Sequence, residues 1–498
     1  MIFVIDIGTT RVKAALFDDH GACLGLSAID LSLSGQNSFR EIDAHLWLKA
    51  LAELARKLLG GVERESQRAP EALRAIVVSG NGPTILPIDE RGEPLAPAIT
   101  WLDRRARRES EEASTALHYR LDAAFNLPKI LWLRRHAPML YERAALFVSC
   151  PEFVIGRLTG EWTTCMPNQG YTRIVWDSAA IDALKLDARK FPRFAGIGEI
   201  IGQVSASAAV EFGLPARVPV VMGGPDFFAS LLGTATVAPG RTCDKAGTSE
   251  GINLCSAKDT GDVGALLVMP HLVEPYFNIS GVISTSGAAV SWFKDAFMPS
   301  KDYDDYYAMA AASAPGASGL VFLPYLAGER SPHWDPNARG TFLGFGLHHD
   351  LAAMGRAVLE GTAFAMREVL DVMESAGARV EDMRATGLPS RSAVWNQVKA
   401  DITGKRVLVS SFSEPELAGC FSIGSWAIGD APSLVVASER AFVPARFYEP
   451  NSATSGLYDD LYSIYLESYR RLAPLFPAVA GVQRRLSVSR PSAAEDES

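Results

Sequence analysis

The sequence predicts an α/β protein built as two structurally related domains, and three observations carry that expectation. A chain of 498 residues, 48% of them hydrophobic, can bury at least two full cores. The opening stretch IFVIDIGTTRVKAALFDDHGACLGL reads as short strands joined by tight turns, with Gly8-Thr9-Thr10 at the first bend. After Pro239 the layout starts again: GRTCDKAGTSEGINLC places a Gly-Thr-Ser bend between two strands, although the residues themselves barely match. The boundary is therefore expected near 235–245, giving domains 1–238 and 239–478.

Each element follows from local pattern. The first three strands form an antiparallel meander, turning again at Asp18-Asp19-His20-Gly21. Trp47, Leu51, Leu54 and Leu58 share one face of a helix over 44–59. RAIVVSG is a buried strand leading into a polar turn, and amphipathic helices are expected over 104–119 and 129–143. VPVVMGGPD is an apolar strand that runs into a glycine-rich turn. In the second half, LVFLPYL, a helix over 350–374 and a strand into Gly387 continue the parallel with the first. From Gln483 the chain is polar and serine-rich, so 483–498 is expected to be a disordered tail.

Charge and composition exclude several classes. The net charge of -9 is spread along the chain, leaving no basic face for a phosphodiester backbone, so nucleic acid is not an expected partner. Residues 2–5 are apolar but too few for a secretory or membrane-spanning segment, so a cytoplasmic protein without membrane attachment is expected. Cys23, Cys150, Cys165, Cys243, Cys255 and Cys420 show no zinc-ligand spacing and read as reduced thiols.

Four motifs carry candidate chemistry. In Asp6-Ile7-Gly8-Thr9-Thr10, followed by Lys13, glycine lets backbone N–H groups turn toward phosphate oxygens and threonines add donors, while an aspartate at a strand end can hold a metal or its waters. A plain hairpin with a glycine turn explains the same residues. Gly247-Thr248-Ser249 is the corresponding turn of the second half. Gly223-Gly224-Pro225-Asp226 ends an apolar strand with a rigidly placed carboxylate, suited to accept a hydroxyl proton or simply to begin a helix. Trp101-Leu102-Asp103-Arg104-Arg105 offers the aromatic face, carboxylate and guanidinium that sugars require, or equally a helix start.

Together these residues resemble the FGGY carbohydrate kinases over roughly residues 1–475. The resemblance includes Asp6 to Thr10, Trp101 to Arg105, Lys129-Ile130-Leu131-Trp132-Leu133, Gly224 to Asp226 and Gly247-Thr248-Ser249. Its most specific part is Gly328-Glu329-Arg330-Ser331-Pro332, leading through Asp335 and Arg339 to GTFLGFGLHHDLAAMGRAVLEG. It implies two actin-like, ribonuclease H-like ATPase domains around a central cleft, with sugar held largely by the first and ATP by the second. It further implies Asp226 as catalytic base and sugar contact, Asp6 facing Mg2+, and Asn81, Trp101, Asp103 and Arg104 lining the acceptor pocket. Gly8, Thr9, Thr10, Lys13, Gly247, Thr248, Ser249, Gly287, Gly387, Leu388 and Ser390 would hold the nucleotide. Two departures stand out. Xylulokinases usually carry Gln-Met-His, and glycerol kinases Arg-Glu, near the place where this chain has Asn81-Gly82-Pro83-Thr84; and at the adenosine loop, where most members have glycines, it has Gly387-Leu388-Pro389-Ser390.

The leading expectation is an ATP-dependent phosphotransferase that moves the γ-phosphoryl group of Mg·ATP to a hydroxyl of a small sugar, ketose or polyol. A catalytically weak nucleotide- or sugar-binding regulator of the same fold is the alternative, and an actin-like ATPase without acceptor fits Trp101 and Asp103 poorly. A homodimer is among the assemblies this family reading allows.

Overall fold

The computed structural model describes residues 1–35, 38–66, 72–261 and 263–488. The chain forms two compact units. The first comprises Met1–Val237, Leu272–Glu274 and Glu414–Val443; the second comprises Ala238–His271, Pro275–Ser413 and Pro444–Ser498.

The first unit is built on a six-stranded sheet. Its strands are β1 (Ile2–Ile7), β2 (Arg11–Phe17), β3 (Cys23–Asp30), β4 (Ala75–Gly80), β5 (Ile200–Gln203) and β6 (Pro219–Pro225), in the order β5-β6-β4-β1-β2-β3. β1, β2 and β3 form the expected antiparallel meander, while β4 and β6 add in parallel to β1. Every residue of β1 and β4 is buried, as a strand covered on both faces requires. Alternation along β4 shows what covers it. A Cβ at Gly80 would meet the Cys150 sulfur of helix Cys150–Thr159, whereas Val77 lies against Gly424 of helix Pro415–Ala427. The second of these helices comes from the returning segment Glu414–Val443, which a single boundary near 238 does not provide for.

The helix expected over 44–59 spans His45–Ser66. The one expected over 129–143 is two, Asn126–His136 and Pro138–Arg143, because proline lacks the N–H needed to continue the first and forces the preceding residue out of the helical region. Side chains from this part of the chain, including Leu127, Ile130, Phe147 and Trp176, pack into a satellite core beside the sheet.

The second unit repeats the topology. Its sheet contains β7 (Arg241–Ala246), β8 (Glu250–Ser256), β9 (Leu267–Pro270), β10 (Phe277–Ile283), β11 (Asp382–Thr386), β12 (Arg406–Ser410) and β13 (Pro444–Tyr448), ordered β9-β10-β8-β7-β11-β12-β13. β7, β8 and β10 are the antiparallel counterparts of β1, β2 and β3; β11 and β12 are parallel additions like β4 and β6, and β13 closes the edge antiparallel, as β5 does. Duplication of layout in the sequence is thus duplication of strand order and direction. Helix Leu351–Ser375 supplies much of the core through Val358, Leu359, Phe364 and Met366. LVFLPYL contributes only Val321–Leu323, which pairs with Thr341–Leu343 outside the main sheet. At the C-terminus, helix Phe476–Val488 occupies the start of the stretch expected to be disordered, and 489–498 lie outside the described residues.

Candidate active site

In the first unit, three parallel strands bring the carboxylates of the two aspartate motifs to the same end of one sheet. Asp6 lies beside Ser79 across β1 and β4, and Ser79 lies beside Gly224 across β4 and β6. Asp226, two residues on, opens helix Asp226–Gly233. Ligands of open α/β sheets gather outside such carboxyl ends of parallel strands. Asp6 is buried and accepts a hydrogen bond from the Ser79 hydroxyl at 3.3 Å, while Asp226 is half-buried. Both charges are felt by the same two thiols: burial pushes Cys150 and Cys420 well above the ordinary cysteine range, and Asp6 and Asp226 add to that rise in each. Among the described residues no three His, Cys, Asp or Glu side chains form a closed metal cage. Mg2+ asks for less, commonly one or two carboxylates completed by water and phosphate oxygens, and buried Asp6 at the strand end is one such donor.

Lys13, opposite Asp6 across the β1–β2 pair, is held by Glu414 at 2.8 Å and Glu416 at 3.7 Å. Burial works against its charge, but Glu416, Glu414 and Asp6 outweigh it, and its pKa lies above the usual lysine value. Glu416 also accepts from the Ser230 hydroxyl, one turn into the helix that Asp226 begins. Ser79 and Cys420 thus neighbour the aspartates, with Glu416 on Lys13 and Ser230, and sequence reading gave none of the three a place in the site.

The acceptor motif divides into exposed and engaged residues. Trp101 is 38% exposed, and its indole N–H donates to the Thr9 hydroxyl at 2.8 Å, tying this motif to the first glycine turn. Thr10 is exposed beside it. Asp103 is wholly buried; its carboxylate accepts from the Arg105 side chain and from the backbone N–H groups of Arg40 and Arg105. Arg105 in turn lies over the rings of Phe39 and Trp132, at 4.1 and 4.8 Å from their centroids. Asp103 thus acts as a brace that fixes the loop presenting Trp101. Arg104 pairs with Asp122. Asn81 is also engaged within the chain: its amide donates to the Ile7 carbonyl at 2.8 Å and accepts from Thr84 at 2.6 Å. Lys129 is fully buried with its ammonium on the Pro83 carbonyl, and burial lowers its pKa to about 7.

In the second unit, three glycines far apart in sequence meet backbone to backbone. A Cβ at Gly287 would stand 2.2 Å from the Gly247 carbonyl oxygen, and one at Gly387 only 1.9 Å from that of Ala246. Gly387 also has a φ of +84°, a conformation side chains disfavour. The turn is sewn to the start of helix Gly287–Phe297: Gly287 N–H donates to Gly247, and the Ser286 and Ala288 N–H groups to Thr248. Gly247 and Thr248 remain exposed. Behind them, Glu329 of the Gly-Glu-Arg-Ser-Pro segment accepts from the Ser284 and Arg330 N–H groups, bracing the approach to Ser286. Ser390 turns its hydroxyl onto the Gly387 carbonyl at 2.7 Å, whereas Leu388 projects outward, 71% exposed.

These arrangements are matched among known proteins. Residues 1–233 match the N-terminal domain, and residues 245–428 the C-terminal domain, of the FGGY family of carbohydrate kinases. The chain belongs to the FGGY family of carbohydrate kinases. It is 26% identical to a xylulose kinase of Staphylococcus epidermidis, covering 95% of this chain and 97% of that one, and 27% identical to a gluconokinase of Bacillus subtilis, covering 97% and 98%. The solved xylulose kinase of Rhodospirillum rubrum superposes with a TM-score of 0.81 at 26% identity, over 95% of this chain and 99% of that one. The kinase is accordingly an ATP-dependent phosphotransferase with an alcohol group of a carbohydrate as acceptor, and the reading as a turnover-deficient regulator is not favoured. Among the described residues no helix is long and apolar enough to cross a membrane.

Proposed function

We propose that this kinase phosphorylates a small polyhydroxylated acceptor of the ketose, polyol or aldonate class in the cytoplasm, with Asp226 as general base. The observation that carries this reading is the placement of Asp6 and Asp226 at the carboxyl ends of β1 and β6, next to an exposed Trp101 anchored on Thr9. Trp101 offers an apolar ring to the C–H face of the acceptor. Asp226 takes the proton of the attacking hydroxyl as its oxygen bonds to the γ-phosphorus and ADP leaves. Lys13, Glu414 and Glu416 hold the floor beneath the two aspartates; Asp103 and Arg105 hold the Trp101 loop. Asp6, with Asp226 nearby, is the residue to hold Mg2+ or its waters, and when bound that ion neutralises charge on the transferring phosphoryl group.

In the second unit, the Gly247-Thr248-Ser249 turn, with Gly287 and Gly387 packed against it, takes the nucleotide phosphates through exposed backbone N–H and hydroxyl groups. Leu388, exposed on the turn after Gly387, is the residue assigned to the nucleobase. The relatives include both xylulose kinases and gluconokinases, so the test is a coupled ADP-release screen across pentuloses, hexuloses, polyols and aldonates with Mg·ATP. Turnover on at least one of these classes supports the reading. Turnover only on acceptors outside them overturns it.

A further inference from the structure

Directly behind the Gly247-Thr248-Ser249 turn lies a buried set of charges that the reaction does not use. Asp244 and Glu250, on the strands flanking the turn, are both fully buried, and Lys399 reaches them from helix Ala393–Thr403 with 1% of its side chain exposed. The Lys399 ammonium donates to Asp244 at 2.7 Å and to Glu250. The other Glu250 oxygen accepts from the Ser286 hydroxyl at 2.7 Å. Ser286 is itself fully buried, and its N–H donates to the Thr248 carbonyl. One carboxylate thus joins three segments: the strand that leaves the turn, the residue that begins the helix docked on it, and a distant helix.

Burying three ionisable groups is costly, and an apolar set of similar volume is commonly as stable or more so. Such a set therefore calls for a reason beyond packing. The charges do not balance if all are ionised, and burial, followed by the neighbouring Glu250 charge, drives Asp244 well above the usual carboxylate range. Glu250 is held ionised against its own burial, chiefly by Lys399. Lys399 also lies over the Trp395 ring at 5.3 Å, which limits where its ammonium can go. The result is a single fixed ion pair that sets the position of Glu250, and through Ser286 that of the turn.

We propose that Lys399, Glu250 and Ser286 are positioning residues for the nucleotide: the ion pair locks Ser286 and the Gly247-Thr248-Ser249 turn into the geometry that accepts phosphate. This rests on the reading of that turn as the phosphate site. Lys399→Met would leave Glu250 buried without its cation, and Ser286→Ala would cut only the link from Glu250 to the loop.

The experiment measures binding of Mg2+ with β,γ-imido-ATP by calorimetry on the full chain, beside its thermal melt. Lys399→Met should weaken binding by about tenfold, and Ser286→Ala by severalfold with little change in melting temperature. Adding Glu250→Gln to Lys399→Met removes the orphaned charge while keeping a hydrogen-bonding partner for Ser286, and should restore most of the affinity. Failure of that rescue overturns the proposal, as does wild-type binding in both single variants. If Lys399→Met does not fold, Ser286→Ala decides alone. Thr248→Ala separates the two levels: if it weakens binding and the Lys399 and Ser286 variants do not, the positioning role falls and the phosphate turn stands. If Thr248→Ala is also silent, the phosphate-turn reading falls, and the positioning role with it.

Discussion

Gly419→Ala tests how tightly the candidate base is placed. Helices Asp226–Gly233 and Pro415–Ala427 touch through backbone, and a Cβ at Gly419 would stand 1.9 Å from the Ala229 carbonyl oxygen and 2.8 Å from its Cα. Contacts of that kind under 3.0 Å are essentially never seen, so the helices must part by more than about 1 Å. The neighbour is backbone and cannot swing aside. Overpacking of this kind costs about 1–3 kcal/mol. Because Asp226 is the first residue of the displaced helix, the variant should also lose activity, and a 1 Å misplacement at the chemistry costs on the order of a hundredfold. The assay pairs a denaturant melt with kcat on the best acceptor from the screen. A folded Gly419→Ala variant with wild-type midpoint and kcat would refute the claim that this helix contact positions the base.

Two further outcomes follow from the same structure. Lys129→Met should be more stable than wild type near neutral pH, because burial lowers the lysine pKa from 10.5 to about 7 while the unfolded chain keeps the ordinary value. Wild type therefore loses stability relative to the variant as pH falls from about 10 to about 7, by roughly 1.4 kcal/mol per unit, and the difference levels off below that; parallel melts across this range check it. In the loop after Gly387, exposed Leu388 and half-buried Pro389 replace the flexibility that glycine gives, so wild type should discriminate poorly between ATP and GTP. Leu388→Gly with Pro389→Gly should tighten ATP by about 1 kcal/mol, read by calorimetry with both nucleotides.

The first sheet was legible because its fully buried strands are written as apolar runs, and the second because its Gly-Thr-Ser bend repeats the place of the first, although its opening strand Arg241–Ala246 carries Arg, Asp and Lys. The return of Glu414–Val443 to the first unit was not. Residues 415–425 are all buried, so helix Pro415–Ala427 shows no polar face to indicate which core it belongs to. Its contributions to the site, Glu416 and Cys420, gain meaning only when packing sets them beside Lys13, Ser79 and Asp6. Asn81 and Asp103 illustrate the reverse. The family resemblance marks them as lining the acceptor pocket, and the structure engages both within the chain, on Ile7 and Thr84 and on Arg105 and Arg40. Lys399, Asp244 and Glu250 lie on separate elements, so no local spacing in the sequence links them.

The central claim is that Asp226 removes the proton from the acceptor hydroxyl, and Asp226→Ala tests it most directly. With the acceptor found in the screen, kcat should fall by about a hundredfold or more while β,γ-imido-ATP binds within about twofold of wild type. Near-normal turnover in that variant would contradict the account.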